Sequence, residues 1–391
     1  MLLATDHPEE HAVGPLRGVR ILELGGRGPV HFCGMLLGDL GAEVISIDRP
    51  RRADDITPLS EAGLGRRRRR VRLDLRSDGG RAMALEIISR VDAVIEGFLP
   101  GSTERLGLGP EDCALHNRAL VYGRMTGWGQ TGPLTSEPGH NINYLAVSGV
   151  LAHLGRAGTL PFPPMNLLAD GGGAMFLALG VVSAVLEARS SGTGQVVDAS
   201  MLDGAALLST MSHDLRNEGR WVEERGSNLN DSGAPFYDVY ETADDRLVAV
   251  GAVEDRFWEP LVRMLGLHDE PVDRWDRANW PWWRKRLAAA FRQRTQADWC
   301  ALAEHAGVCL SPVLTMSEAP VHPHNVARGV FTRVGGDVLP SPAPRFSRSR
   351  LEPITRTTSD DETADVRAEL GIDTPQLVRD GSGDVPEPGD R

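Results

Sequence analysis

Two side chains able to move a proton near neutral pH, His140 and Asp170, lie in one stretch, residues 138–173, PGHNINYLAVSGVLAHLGRAGTLPFPPMNLLADGGG. Each has glycine beside it: Gly139 precedes the histidine, and Gly171, Gly172 and Gly173 follow the aspartate. The apolar run AMFLALGVVSAVLEAR comes next and has helical length. Asp170 is therefore expected at the helix N-cap, where free backbone N–H groups and the helix dipole favour an ionised carboxylate. The glycines should let a ligand approach the backbone, and the N–H groups around Gly139 and Gly171 are candidate donors to a developing negative oxygen. His140 and Asp170 could thus give and take protons on a bound ligand. By spacing alone, the same residues also read as an ordinary cap and a structural histidine.

Positioning these groups requires a scaffold, and the chain offers an α/β one. The runs VRILEL (19–24), AEVISID (42–48), DAVIEGF (92–98) and LVYGRM (120–125) are apolar and of strand length, with helical patterns between them, and GQVVDAS (194–200) reads as another strand before a helix. Alternating strands and helices predict a parallel, Rossmann-like sheet. Gly26, Gly28 and His31 after the first strand fit a dinucleotide fingerprint only in part, since Pro29 intrudes and the third glycine is missing. A dinucleotide cofactor is rejected, although a glycine turn opening a helix can still line a nucleotide-like ligand. The loop TGWGQTGP, at the carboxyl end of the strand at 120–125, lies where open parallel sheets bind ligands. From about residue 223 the texture changes. FYDVYE and RLVAVGA alternate as a hairpin would, an amphipathic helix follows at 257–265, and six of the eight tryptophans fall between 258 and 299, as expected of a packed smaller α+β unit.

A chain of 391 residues suggests two domains. They are placed at 1–215 with 335–391 for the large one and at 225–330 for the small one, with a disordered polar tail at 382–391. A net charge of −12 argues against a general nucleic-acid binder. Cys33, Cys113, Cys300 and Cys309 form no CxxC pair and no metal-ligand cluster, and the acidic N-terminus does not resemble a signal peptide, so reduced thiols in a cytoplasmic protein without a metal are expected. The apolar stretch Gly171 to Leu186 is 16 residues, short of the about 20 that span a bilayer, and reads as a buried helix. The five arginines 66–70 read either as a solvated charge run or as a grip for phosphate.

GRMTGWGQTGP (123–133), GHNINYLAVSGVL (139–151) and NLLADGGG (166–173) closely resemble the α-methylacyl-CoA racemases of the class III CoA-transferase (CaiB/BaiF) family, and the resemblance runs from about Gly14 to about Gly371. It implies an isomerase inverting the α-carbon of a 2-methyl-branched acyl-CoA, an interlocked homodimer, and no cofactor beyond the CoA carried by the substrate. His140 and Asp170 are then the two bases, Glu254 pairs with the histidine from the small domain, and Tyr144 orders the network. The CoA moiety is implied to contact Arg49, the LDLR segment Leu73, Asp74, Leu75 and Arg76, the segment Gly97, Phe98 and Leu99, Arg105, and the backbone at Gly139 and Gly171. Arg68 and Arg69 match a basic pair of the family.

Two positions depart from the racemase pattern. Leu99 stands where arginine is usual, and Asn141 stands where aspartate is usual, which should make protonated His140 less favourable by removing a neighbouring negative charge. The family also includes transferases, in which an aspartate at the position of Asp170 attacks the thioester as a nucleophile; the GHNINY motif favours the racemase over them. A non-catalytic acyl-CoA binding protein is the remaining alternative, and the set His140, Asp170 and Glu254 speaks against it.

Overall fold

The computed structural model describes residues 14–26, 28–48, 63–355 and 361–372, so the expectations placed on Arg49 and on the 382–391 tail lie outside the described residues. Six strands, β1 (Arg20–Glu23), β2 (Glu43–Asp48), β3 (Arg68–Arg72), β4 (Ala93–Glu96), β5 (Val121–Thr126) and β6 (Val196–Ser200), form one sheet in the order β3-β2-β1-β4-β5-β6, every neighbouring pair parallel. With it run helices α1 (Pro29–Asp39), α2 (Asp78–Ile88), α3 (Ser102–Arg105), α4 (Pro110–His116), α5 (Asn141–Val147), α6 (Gly172–Ser191), α7 (Met201–Leu208) and α8 (Thr210–Asn217).

Parallel sheets are covered on both faces, and the alternation of side chains along β1 divides the core accordingly. Ile21 and its β2 partner Val44 enter a core with Val30 and Leu37 of α1, Leu145 of α5 and Leu177 and Val181 of α6. Leu22 and its partner Ile45 enter a second core with Met83 and Ile87 of α2 and Cys113 of α4. Strand order reverses between β1 and β4, and a ligand crevice belongs at that switch point. There Gly97 makes room for Val30: a Cβ on it would meet Val30 Cγ2 at 2.5 Å.

The arginine run is neither a solvated loop nor an open phosphate grip. Residues 68–72 are β3, the edge of the sheet, and the run's charges are engaged inside the protein. Arg66 clamps Asp39 at 2.6–3.1 Å, and Arg68 clamps the fully buried Glu23 at 2.8–3.2 Å. Arg67 bonds Glu352 at 2.8 Å, Arg69 pairs with Glu43, Glu362 and Glu369, and Arg70 lies 3.7 Å from Asp48. Burial would push the Glu23 carboxyl up, but the Arg68 guanidinium, with help from His31 at 2.8 Å, brings it down to about 2. The strand edge is covered by the segment entering the last helix: Glu362 N–H donates to the Arg70 carbonyl at 2.7 Å, and Arg72 N–H donates to Thr363 Oγ1 at 3.0 Å.

The second sheet is antiparallel, β7 (Tyr237–Glu241), β8 (Leu247–Gly251) and β9 (Leu310–Pro312), with the expected hairpin between its first two strands. It packs with α9 (Asp255–Met264), α10 (Trp280–Phe291) and α11 (Gln296–Ala303) around a third core, in which Trp258 and Trp283 meet edge to face at 4.9 Å. Helix α12 (Pro323–Arg328) and the hairpin of β10 (Phe331–Val334) and β11 (Asp337–Pro340) lead back to α13 (Thr363–Leu370), whose Val366 and Leu370 join the α2 side of the large sheet. Arg156 ties the two sheets' units together by a bidentate pair with the buried Asp238 of β7, at 2.8 and 3.0 Å.

With the π-turn Leu167–Gly171 that leads into α6, the apolar helix runs 25 residues, longer than its 16-residue apolar stretch, and is long and apolar enough to cross a membrane. Half of its apolar stretch is buried, and it packs against β5, β6, α1 and α7.

Candidate active site

Gly127 follows directly on β5, and only glycine fits there because a Cβ would lie 2.1 Å from the Tyr144 ring; at Gly139 a Cβ would lie 2.7 Å from the same ring. Tyr144 thus fills the space between two glycines, packs edge to face on Trp128 with centroids 4.8 Å apart, and donates its hydroxyl to the Gly139 carbonyl at 2.5 Å. Burial, reinforced by the charge of Asp170, raises the Tyr144 pKa, so the hydroxyl is a donor at neutral pH. This fixes the backbone just before His140. His140 is the N-cap of α5: its N–H donates to Asn143 Oδ1 at 3.0 Å, and its side chain is exposed.

Asp170 is not an N-cap. It lies within the π-turn, and the helix has begun before it. The cap comes from another helix: Asn141, 8% exposed at the first position of α5, accepts the N–H groups of Ala169 and Asp170 with Oδ1, both at 3.1 Å, and donates Nδ2 to the Met165 carbonyl at 2.8 Å. The Asp170 carboxyl is left with one partner among the described residues, Asn166 Nδ2 at 3.0 Å. Burial raises its pKa above the ordinary aspartate value, against the lowering influences of Asn166 and of His140, whose charge reaches it. The expected preference for the carboxylate is thus reversed in direction, because the carboxyl is half-buried and does not collect backbone N–H groups. The Asn141 amide, expected beside His140, is turned toward this aspartate's backbone.

The glycines after Asp170 also serve differently than expected. A Cβ at Gly172 would lie 2.8 Å from Leu208, and one at Gly173 would lie 3.0 Å from Met201, so both let α7 pack closely on α6. The Gly171 N–H is spent on the Asn166 carbonyl at 3.1 Å, which removes it as an oxyanion donor. The Gly139 N–H has no acceptor among the described residues and stays available.

The implied CoA contacts gather at the carboxyl ends of the strands. Leu73 and Leu75 pack on the α2 core after β3; Asp74 Oδ1 accepts the Arg76 N–H at 3.0 Å, leaving the Arg76 side chain exposed. Phe98 covers Gly25, which a Cβ would bring to 2.9 Å from its ring, and its N–H donates to Glu96 at 2.7 Å; Leu99 is exposed beside it. Arg105 ends α3 and donates to Ser102 Oγ at 2.9 Å. Glu254 is exposed at the N-cap of α9, 3.8 Å from Arg256, and within the single chain no hydrogen bond or ion pair among the described residues links it to His140. Sequence reasoning missed Asn166 and Trp128; the first carries no local signal, and the second sits in the glycine-rich loop already marked after β5.

A model of CoA-transferase family III matches residues 16–358. The chain belongs to that family. It is 40% identical over 370 residues to the alpha-methylacyl-CoA racemase of Mus musculus, covering 93% of this chain and 95% of that one. It is 42% identical over 332 residues to the racemase of the same name from Homo sapiens, covering 84% and 86%. A more distant relative, the succinyl-CoA–D-citramalate CoA-transferase of Chloroflexus aurantiacus, is 34% identical over 273 residues, covering 66% and 67%. The crystal structure of a CaiB/BaiF family protein from Brucella suis superposes with a TM-score of 0.80 at 24% identity, covering 92% of this chain and all of that one, and this fixes the fold.

Proposed function

We propose that the protein is an isomerase that inverts the α-carbon of a 2-methyl-branched acyl-CoA thioester. One base takes the α-proton, the C–H electron pair moves into an enolate, and the other group, protonated, returns a proton to the opposite face. His140 and Asp170 are the two groups, and the enolate oxygen takes the Gly139 N–H. The observation that carries the reading is that one buried side chain, Asn141, ties the starts of two helices together and so holds His140 and a half-buried Asp170, free of backbone capping, at one place. Identity of about 40% to racemases over most of the chain supports it.

The CoA arm is assigned to the switch-point side, with Arg76 and Arg105 as exposed cations, Leu73 and Phe98 as apolar walls, and Arg49 as the further cation that the resemblance implies. The acyl chain is assigned to a cavity of about 650 Å³ that opens beside the π-turn, walled by Leu168, Leu208, Val150, Leu154 and Phe162. The domain division at 1–215 with 335–391 and at 225–330 is retained as a proposal. So is a homodimer: Met175, Leu179 and Leu186 form an apolar stripe on α6 that is 60–74% exposed, a face a second copy would cover. An arrangement in which one copy's small unit covers the other's large unit would let Glu254 reach His140, the role the resemblance implies.

Incubating one enantiomer of a 2-methylacyl-CoA with the protein in heavy water tests the reading. A racemase incorporates deuterium at the α-carbon and inverts it with no other substrate. A transferase, with Asp170 as nucleophile, turns over only when an acceptor acid is added, and a binding protein does neither.

A further inference from the structure

We propose that Asn141 is a positioning residue for Asp170 whose neutral amide does two things a carboxylate at the same place cannot do together: it holds the π-turn from outside and keeps a second negative charge away from Asp170. The inference rests on Asp170 as the proton-transfer group named above. Three hydrogen bonds define the role. Oδ1 accepts the two N–H groups of Ala169 and Asp170, and Nδ2 donates a hydrogen bond to the Met165 carbonyl, just before the same turn. Those two N–H groups are among the unpaired donors that any helix start leaves, and a half-buried start without partners is costly. Met165 itself sits at φ 57, a left-handed conformation that a side-chain-bearing residue adopts only when held, and the Asn141 amide holds its carbonyl.

The partners also fix the orientation of the amide, since two donors face one end and an acceptor faces the other. An aspartate in place of Asn141 could keep the two N–H groups with one oxygen, but its second oxygen would face the Met165 carbonyl as acceptor against acceptor. Either that contact opens, or the introduced carboxyl takes up a proton to keep it. If it stays ionised, its charge stands beside Asp170 and disfavours the Asp170 carboxylate.

The other groups around Asp170 do not provide this control. On α5 they are His140, whose charge favours the carboxylate, and Tyr144, whose pKa is raised. On the neighbouring helices, His31 of α1 is engaged by Glu23, and Asp203 of α7 is exposed in that helix's first turn. Asn166, which donates to the carboxyl at 3.0 Å, is neutral like Asn141, so Asn141 is the position at which an introduced charge would bear on the ionisation of Asp170 without touching a reacting group.

The test compares wild type, Asn141→Asp and Asn141→Ala in two measurements, the pH dependence of α-proton exchange and the NMR titration of the Asp170 carboxyl carbon, which does not depend on turnover. In Asn141→Asp, the acid limb of exchange and the Asp170 titration should both move up by about one pH unit. In Asn141→Ala, kcat should fall about 10–100-fold, the scale of a small misplacement of a reacting group, with KM within about twofold. An Asp170 titration in Asn141→Asp that superimposes on wild type overturns the proposal. So does an Asn141→Ala variant that keeps wild-type kcat and merely melts earlier. Should Asn141→Ala fail to fold, the aspartate variant decides alone. Absence of exchange in wild type would sink the racemase reading instead, while the NMR arm still judges the clamp.

Discussion

The arginine strand and the His140–Asp170 site are both rich in charge, and they treat it in opposite ways. Along 66–70 the charges meet partners: Arg66 has Asp39, Arg68 has Glu23 with three backbone carbonyls, and Arg69 has three glutamates. At the site, one buried amide does the structural bonding, the Asp170 carboxyl has one hydrogen-bond partner among the described residues, and His140 faces solvent. Charge that is fully paired builds a fold, and charge that is left underpaired in a partly buried place is available for chemistry. A high density of basic residues in the sequence was therefore the poorer guide to function.

This contrast can be broken by mutation. Arg68→Ala strands the buried Glu23 and should cost about 3–5 kcal/mol of stability, the usual penalty for an uncompensated buried charge. Urea unfolding would measure it, and an unchanged midpoint would mean that the pair is not structural. Arg76→Ala and Arg105→Ala, at exposed cations, should leave stability unchanged. Each should raise KM for a CoA ester about 10–100-fold, the equivalent of a charged hydrogen bond of about 1.5–3 kcal/mol. A short pantetheine thioester should be little affected, and equal losses for both substrates would show that these arginines do not read the nucleotide end.

Tyr144→Phe keeps the ring between Gly127 and Gly139 but loses the bond to the Gly139 carbonyl, so a loss of about 1 kcal/mol in stability, with kcat reduced more than KM, is expected. A drop in KM alone would argue against its positioning role. A last effect is confined to acid. The Glu23 carboxyl titrates at about 2 in the folded protein against an ordinary 4.5, so its contribution is complete above 4.5 and is lost as pH falls from there toward about 2. Arg68→Ala should flatten the stability curve in that window, and a curve of unchanged slope would contradict the assignment.

Most of the large sheet was legible because β1, β2, β4, β5 and β6 are apolar runs of strand length. Strand β3 was not, because a strand of arginines carries no apolar signal; its burial depends on acids as distant as Glu362 and Glu369, which no local window contains. The start of α6 was legible as a helix, whereas its cap was not. A local reading assigned the capping to Asp170, but the oxygen that performs it comes from Asn141 on α5, and only the folded chain brings the two together. The glycines 172 and 173 misled for a similar reason, as their small size serves the close approach of Met201 and Leu208 on a helix further along the chain. The charge of His140 reaches Asp170 and that of Asp170 reaches Tyr144, while Glu254 has Arg256 at 3.8 Å and no hydrogen bond or ion pair to His140 among the described residues.

The two-base account is tested most directly by following α-deuterium exchange separately for each enantiomer of a 2-methylacyl-CoA with His140→Ala and Asp170→Ala. Loss of one base should remove about 10²–10⁴-fold of rate on its own face. His140→Ala should thus abolish racemisation yet still exchange the enantiomer whose proton faces Asp170, and Asp170→Ala should show the opposite preference. Near-normal racemisation by His140→Ala, or loss of exchange for both enantiomers in only one of the two variants, would contradict it.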